Sequence, residues 1–131
     1  MAVMVVDDDA DMRALLRDML TLDRLDVREE ASGELLVEAL EKEVPDLIVM
    51  DKEMPGPSGL DLLSYIARRH RGLPVILITA FGGSAVRDEA LRLGAVAYIE
   101  KPFSTDALLQ QVRRLLPLGR VACAPGTRDD S

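Results

Sequence analysis

Asp7, Asp8, Asp51, Thr79 and Lys101 are the side chains of this 131-residue chain that offer the most chemistry if they meet. Carboxylates can hold a hard divalent cation, and one of them can act as a nucleophile. A hydroxyl can donate to an anion, and an ammonium can offset developing negative charge. These residues lie up to 94 positions apart, from 7 to 101, yet each stands at the same kind of place. Ala2-Val3-Met4-Val5-Val6 stops at Asp7-Asp8-Asp9, and Leu47-Ile48-Val49-Met50 stops at Asp51. Val75-Ile76-Leu77-Ile78 stops at Thr79, and Ala97-Tyr98-Ile99-Glu100 stops at Lys101. Continuous apolar runs of this length are the pattern of strands covered on both faces of a parallel sheet. Such sheets bind ligands beyond the carboxyl ends of their strands, so one sheet would gather all these groups in a single crevice.

The intervening segments read as helices. Met12, Leu15, Leu16, Met19 and Leu20 recur at helical spacing, which predicts a first helix from about Ala10 to Leu22. A short strand around Asp26 to Glu30 has few apolar residues, as suits a sheet edge. Ser32 is placed to cap a second helix carrying Leu36, Ala39 and Leu40, and Pro45 leads into the run ending at Asp51. Met54-Pro55-Gly56-Pro57-Ser58-Gly59 is loop chemistry. A third helix follows with Leu60, Leu63, Ile66 and Ala67 on one face, a basic end at Arg68-Arg69-His70-Arg71, and Gly72 to stop it. Gly82-Gly83 opens a flexible connection, Ser84 begins a fourth helix, and Gly94 stops it. Ser104 caps a fifth helix with Asp106 in its first turn, and Pro117 ends it. Strict alternation of five strands and five helices predicts a doubly wound, flavodoxin-like α/β domain with a five-stranded parallel sheet. Strand order 2-1-3-4-5 would set strands one and three side by side at the switch point. The domain is expected over residues 1–117, with 118–131 a flexible tail or the start of a linker.

Composition narrows the function. A net charge of -7 argues against a nucleic-acid surface. Cys123 is the only cysteine, so no intrachain disulfide can form, and it carries no visible chemistry. No apolar stretch approaches the ~20 residues of a membrane helix, and the N-terminus lacks a basic leader region. The chain reads as cytoplasmic, without membrane contact. There is no P-loop, glycine-rich nucleotide fingerprint or Cys/His metal cluster, so nothing in the sequence points to ATP.

In this order, the strings Val5-Val6-Asp7-Asp8, Met50-Asp51, Met54-Pro55-Gly56, Ile78-Thr79-Ala80 and Lys101-Pro102-Phe103 resemble the receiver domain of bacterial two-component response regulators. The resemblance runs from Val3 to about Leu116. It implies that Asp51 accepts a phosphoryl group from a phosphohistidine on a sensor histidine kinase or phosphotransfer protein, or from acetyl phosphate in vitro. It implies a Mg²⁺ (or Mn²⁺) site at Asp7, Asp8, Asp51 and the backbone carbonyl of Glu53. Thr79 and Ala80 would bind phosphoryl oxygens, and Lys101 would bridge phosphate and carboxylate. The bond before Pro102 would be cis, and Tyr98 would swing between exposed and buried positions as Thr79 moves, with Gly82-Gly83 letting that loop follow. Glu53 and Phe81 occupy positions that modulate phosphoryl loss and partner approach. The surface of helix four, strand five and helix five would carry the output to an effector or output domain, or form a homodimer. The protein would be a phosphoacceptor with at most slow self-dephosphorylation, and not an enzyme. It would be either a stand-alone receiver or a piece of a longer regulator.

Elementary electrostatics supports the need for a cation. Two like charges 4 Å apart repel by roughly 4 kcal/mol at an effective dielectric of ~20. Plainer readings compete at each position. Asp7 and Asp8 could pre-charge the first helix, as Asp9 is expected to do. Thr79 could be a simple strand residue, Lys101 a solvated lysine, and Tyr98 a strand filler. His70 is expected to face water. Glu53 is expected to pair with Lys101 and slow phosphate entry. Two other functions share this fold: a phosphorylation-independent protein-binding module, and an aspartate-nucleophile phosphatase. The second aspartate of such phosphatases would fall where this chain has Glu53.

Overall fold

The computed structural model describes residues 1–116. Pro117, Cys123 and the expected tail lie outside them. The elements alternate as β1 (Ala2–Val6), α1 (Ala10–Leu22), β2 (Asp26–Glu30), α2 (Gly33–Lys42) and β3 (Leu47–Asp51). They continue as α3 (Gly59–Arg69), β4 (Val75–Thr79), α4 (Ser84–Arg92), β5 (Ala97–Glu100) and α5 (Thr105–Leu115). All strand pairs are parallel, and the sheet order is β2-β1-β3-β4-β5.

Strand parity divides the core in two. Side chains alternate across a sheet, so Val3, Val5, Val49, Ile76 and Ile78 face one layer with Leu16 and Leu20 of α1 and Leu108 and Val112 of α5. Met4, Val6, Ile48, Met50 and Leu77 face the other, with Leu36 and Leu40 of α2, Leu63 and Ile66 of α3 and Ala90 of α4. Every residue of β3 and β4 is buried, whereas the β2 edge is only half-covered. This double coverage is why β1, β3 and β4 read as unbroken apolar runs.

Caps set the helix starts. The Asp9 side chain accepts from the Asp11 and Met12 N–H groups, Ser32 from Leu35, Ser58 from Asp61, and Ser104 from Ala107. No helix among the described residues is long and apolar enough to cross a membrane.

Two expectations need correction. The buried stripe of α3 is Gly59, Leu62, Leu63 and Ile66; Leu60 is half-buried and Ala67 is exposed. The phase is set where the helix begins, because Gly59 lies against the backbone of Lys52 just past β3. His70 does not simply face water. It caps the C-terminus of α3, its ring meets the edge of Tyr65 at 6.2 Å, and its Nε2 is buried without a hydrogen-bond partner among the described residues.

A Cβ on Gly59 would stand 2.6 Å from the Lys52 Cα. Backbone cannot yield as a flexible side chain does, so Gly59→Ala is expected to cost about 1–3 kcal/mol by overpacking. A chemical-denaturation midpoint equal to wild type would refute this.

Candidate functional site

Register brings the acidic strand ends together. Val6 pairs with Met50, so Asp7 and Asp51 leave β1 and β3 side by side. Asp51 in turn pairs with Ile78, one residue before Thr79. Asp7, Asp51 and Thr79 are the buried polar residues among those described.

Each buried carboxylate is tied locally. Asp7 Oδ1 accepts from the Asp9 N–H at 2.9 Å, and Asp51 Oδ1 accepts from the Glu53 N–H at 3.2 Å. Lys101 Nζ lies 3.5 Å from Asp51 Oδ2 and 3.9 Å from Asp7 Oδ2. The peptide bond from Lys101 to Pro102 is cis. One ammonium at these distances leaves the crevice under-neutralised. Burial, then the Asp7 charge, pushes Asp51 up to about 6, against the Glu53 N–H and Lys101, which pull it down. Burial likewise raises Asp7, opposed by the Asp9 N–H and Lys101.

One carboxylate oxygen each from Asp7, Asp8 and Asp51 lies within 4.8 Å of the others. Asp8 is exposed, so the set opens to solvent on one side. An all-oxygen donor set with surplus negative charge fits a hard cation such as Mg²⁺.

Glu53 departs from expectation. Its carboxylate does not pair with Lys101. Oε2 accepts from the Thr79 hydroxyl, Oε1 accepts from the Ala80 N–H at 2.9 Å, and Lys52 Nζ sits 3.3 Å from Oε2. Lys101 is held toward Asp51 and Asp7, whereas the end of β4 presents two donors directly to Glu53. Burial alone would raise Glu53, but Thr79, Ala80 and Lys52 outweigh it and hold the carboxyl below its usual value.

Around this centre, the Phe81 N–H donates to the Thr79 hydroxyl oxygen at 3.0 Å, while Phe81 as a whole is 73% exposed. Tyr98 is half-buried and packs against the core layer of α2, α3 and α4. Its hydroxyl donates to Glu100 Oε2 at 3.1 Å, and the same oxygen accepts from the Gly83 N–H at 2.9 Å. Glu100 therefore ties Tyr98 to the β4–α4 connection. The sequence reading missed this role, although Tyr98 and Glu100 share strand parity and Thr79 pairs with Glu100 in register. Gly82 must stay small, because a Cβ there would strike both the Tyr98 hydroxyl and the Glu100 carboxylate. Beside the site lies a mostly apolar cleft of about 460 Å³, lined by Met12, Leu15, Ala80, Lys101, Pro102 and Phe103.

The profile of the response regulator receiver domain matches residues 3–113. The chain belongs to the receiver domain family. This receiver domain is 30% identical over 116 residues to sporulation initiation phosphotransferase F of Bacillus subtilis, covering 88% of this chain and 94% of that protein. It is 40% identical over 119 residues to the C4-dicarboxylate transport transcriptional regulatory protein DctD of Pseudomonas aeruginosa. That match covers 91% of this chain but only 26% of DctD, so the chain spans about a quarter of that longer regulator. Among solved structures, the receiver domain of NtrX from Brucella abortus superposes with a TM-score of 0.82 at 33% identity, covering 87% of this chain and 97% of that one. The Francisella response regulator 1452 receiver domain gives 0.83 at 28% identity, covering 87% and 94%. Membership of this family makes it a phosphorylation-dependent signalling domain.

Proposed function

We propose that Asp51 is the phosphoacceptor, taking its phosphoryl group from a phosphohistidine of a sensor histidine kinase or phosphotransfer protein in the cytoplasm. The carrying observation is a buried Asp51 carboxylate beside Asp7, with Lys101 Nζ at 3.5 Å. With its pKa at about 6, Asp51 is mostly ionised at pH 7 and available as a nucleophile.

An Asp51 oxygen forms the new P–O bond as the P–N bond to the donor imidazole breaks. The electron pair of that bond returns to the imidazole, which leaves neutral because its other nitrogen carries a proton. Lys101 offsets charge on the transferring oxygens, and the Thr79 hydroxyl and Ala80 N–H bind phosphoryl oxygens in the product. Asp7, Asp8, Asp51 and the Glu53 carbonyl would hold Mg²⁺ or Mn²⁺, which when bound neutralises the carboxylates and the arriving phosphoryl group. Each molecule accepts one phosphoryl group, so the domain is a stoichiometric acceptor and not a turnover enzyme.

The apolar cleft at Met12, Leu15 and Phe103 supports approach of a donor protein beside Asp51. Tyr98 and Glu100 join the β4–α4 connection to β5, which supports the surface of α4, β5 and α5 as the output face toward an effector, an output domain or a second copy. The functional unit is residues 1–117.

Incubation with acetyl phosphate and Mg²⁺ is expected to add the mass of one phosphoryl group to the intact protein. A chelator is expected to prevent the gain. No adduct on the wild-type protein with Mg²⁺ present would sink this reading.

A further inference from the structure

The two donors at the end of β4 already have an anionic acceptor. The Thr79 side chain is fully buried, and its hydroxyl donates to Glu53 while accepting from the Phe81 N–H. The Ala80 N–H is spent on the other oxygen of the same carboxylate, at 2.9 Å. Lys52 is 3.3 Å from that carboxylate, and the Glu53 N–H binds the Asp51 carboxylate, so acceptor and nucleophile share one short tether.

We propose that Glu53 is a resident stand-in for the phosphoryl group: its carboxylate occupies the Thr79 and Ala80 donors in the unphosphorylated protein, and phosphorylation of Asp51 must displace it. This deepens the phosphoacceptor reading and rests on it. A carboxylate and a phosphoryl group offer the same kind of acceptor, anionic oxygens seeking short N–H and O–H bonds. One hydroxyl and one amide cannot serve both. The incoming group therefore breaks two charge-assisted hydrogen bonds before making its own, and it meets Glu53 as a further negative charge beside Asp7, Asp8 and Asp51.

The exchange also changes what moves. Thr79 is already turned toward the site, and Tyr98 is already half-buried and joined through Glu100 to Gly83. Phosphorylation would swap one acceptor for another on Thr79, and the side chain released is Glu53 with its partner Lys52. Glu53 is thus a positioning residue that sets how strongly the site holds a phosphoryl group.

The test is an amide NMR titration of the Mg²⁺-loaded protein with beryllofluoride, a tetrahedral phosphoryl mimic that bonds to a carboxylate, for wild type, Glu53→Ala and Glu53→Gln. In the free proteins, the Ala80 amide proton is expected well upfield in Glu53→Ala, because it has lost a carboxylate acceptor. At saturation the Ala80 signals of wild type and Glu53→Ala are expected to converge, since both then bond the adduct. Glu53→Ala is expected to bind beryllofluoride about tenfold more tightly. Glu53→Gln should fall between, because an amide oxygen accepts more weakly; its similar shape makes it the deciding variant if Glu53→Ala loses amide dispersion. An unmoved Ala80 signal in the free variants, or equal or weaker affinity, overturns the inference alone. If no protein takes beryllofluoride, the phosphoacceptor reading falls and this inference falls with it.

Discussion

Asp51→Asn is expected to lose phosphoryl uptake entirely and to become more stable at the same time. The first effect follows from removing the nucleophile, and the intact mass after acetyl phosphate treatment reports it. The second follows from removing one of two buried like charges. In the fold Asp51 binds its proton up to about 6, against an ordinary carboxyl value of 3.8. The native state therefore holds more protons than the unfolded chain between those values, and stability falls as pH rises through that window. Above it the full cost remains. About two pH units at 1.36 kcal/mol each sets a ceiling near 3 kcal/mol, shared with Asp7 because the two carboxyls titrate together. In metal-free buffer, the Asp51→Asn protein should melt several degrees higher than wild type at pH 7, with the gap shrinking toward pH 5. A variant that still gains phosphate removes Asp51 from its role. A melting gap that does not change with pH removes the charge argument.

Magnesium is expected to raise the melting temperature of the wild-type protein at pH 7 by relieving the same repulsion. Ligand binding to the native state stabilises by RT ln(1 + [L]/Kd), about 2.7 kcal/mol at a hundredfold excess over Kd. Asp8 is the informative control. It is exposed, so Asp8→Ala should leave the core intact while removing one of the three converging carboxylates. The variant should lose most of the magnesium-dependent gain, and for wild type the gain should be smaller at pH 5, where protons compete for Asp51. Equal gains in both proteins, measured by calorimetry across a magnesium series, would place the cation elsewhere.

Much of this molecule is readable in one dimension because its central strands are covered on both faces. Double coverage makes β1, β3 and β4 apolar runs, and these, like the shorter β5, end at the edge where a parallel sheet collects its ligands. That is why Asp7, Asp51, Thr79 and Lys101 could be brought to one crevice without coordinates. Helix phase was less legible. In α3 several apolar residues fit more than one stripe, and the contact of Gly59 with the Lys52 backbone chose among them. His70 looked solvated because its neighbours are basic, yet the end of α3 turns its ring against Tyr65.

Local pattern and spacing were enough for the fold and the chemical types at the strand ends, and the matching strings at those ends for the family. Tertiary structure alone decided the pairings. Glu53 and Lys101 are both flexible and oppositely charged, so composition favours joining them. The end of β4 instead presents the Thr79 hydroxyl and the Ala80 N–H to Glu53, while Asp7 and Asp51 hold Lys101. Glu100 likewise gained its link to Tyr98 and Gly83 only once β4 and β5 lay in register. Such choices turn on ångström differences between loops that leave separate strands, and no local pattern encodes them.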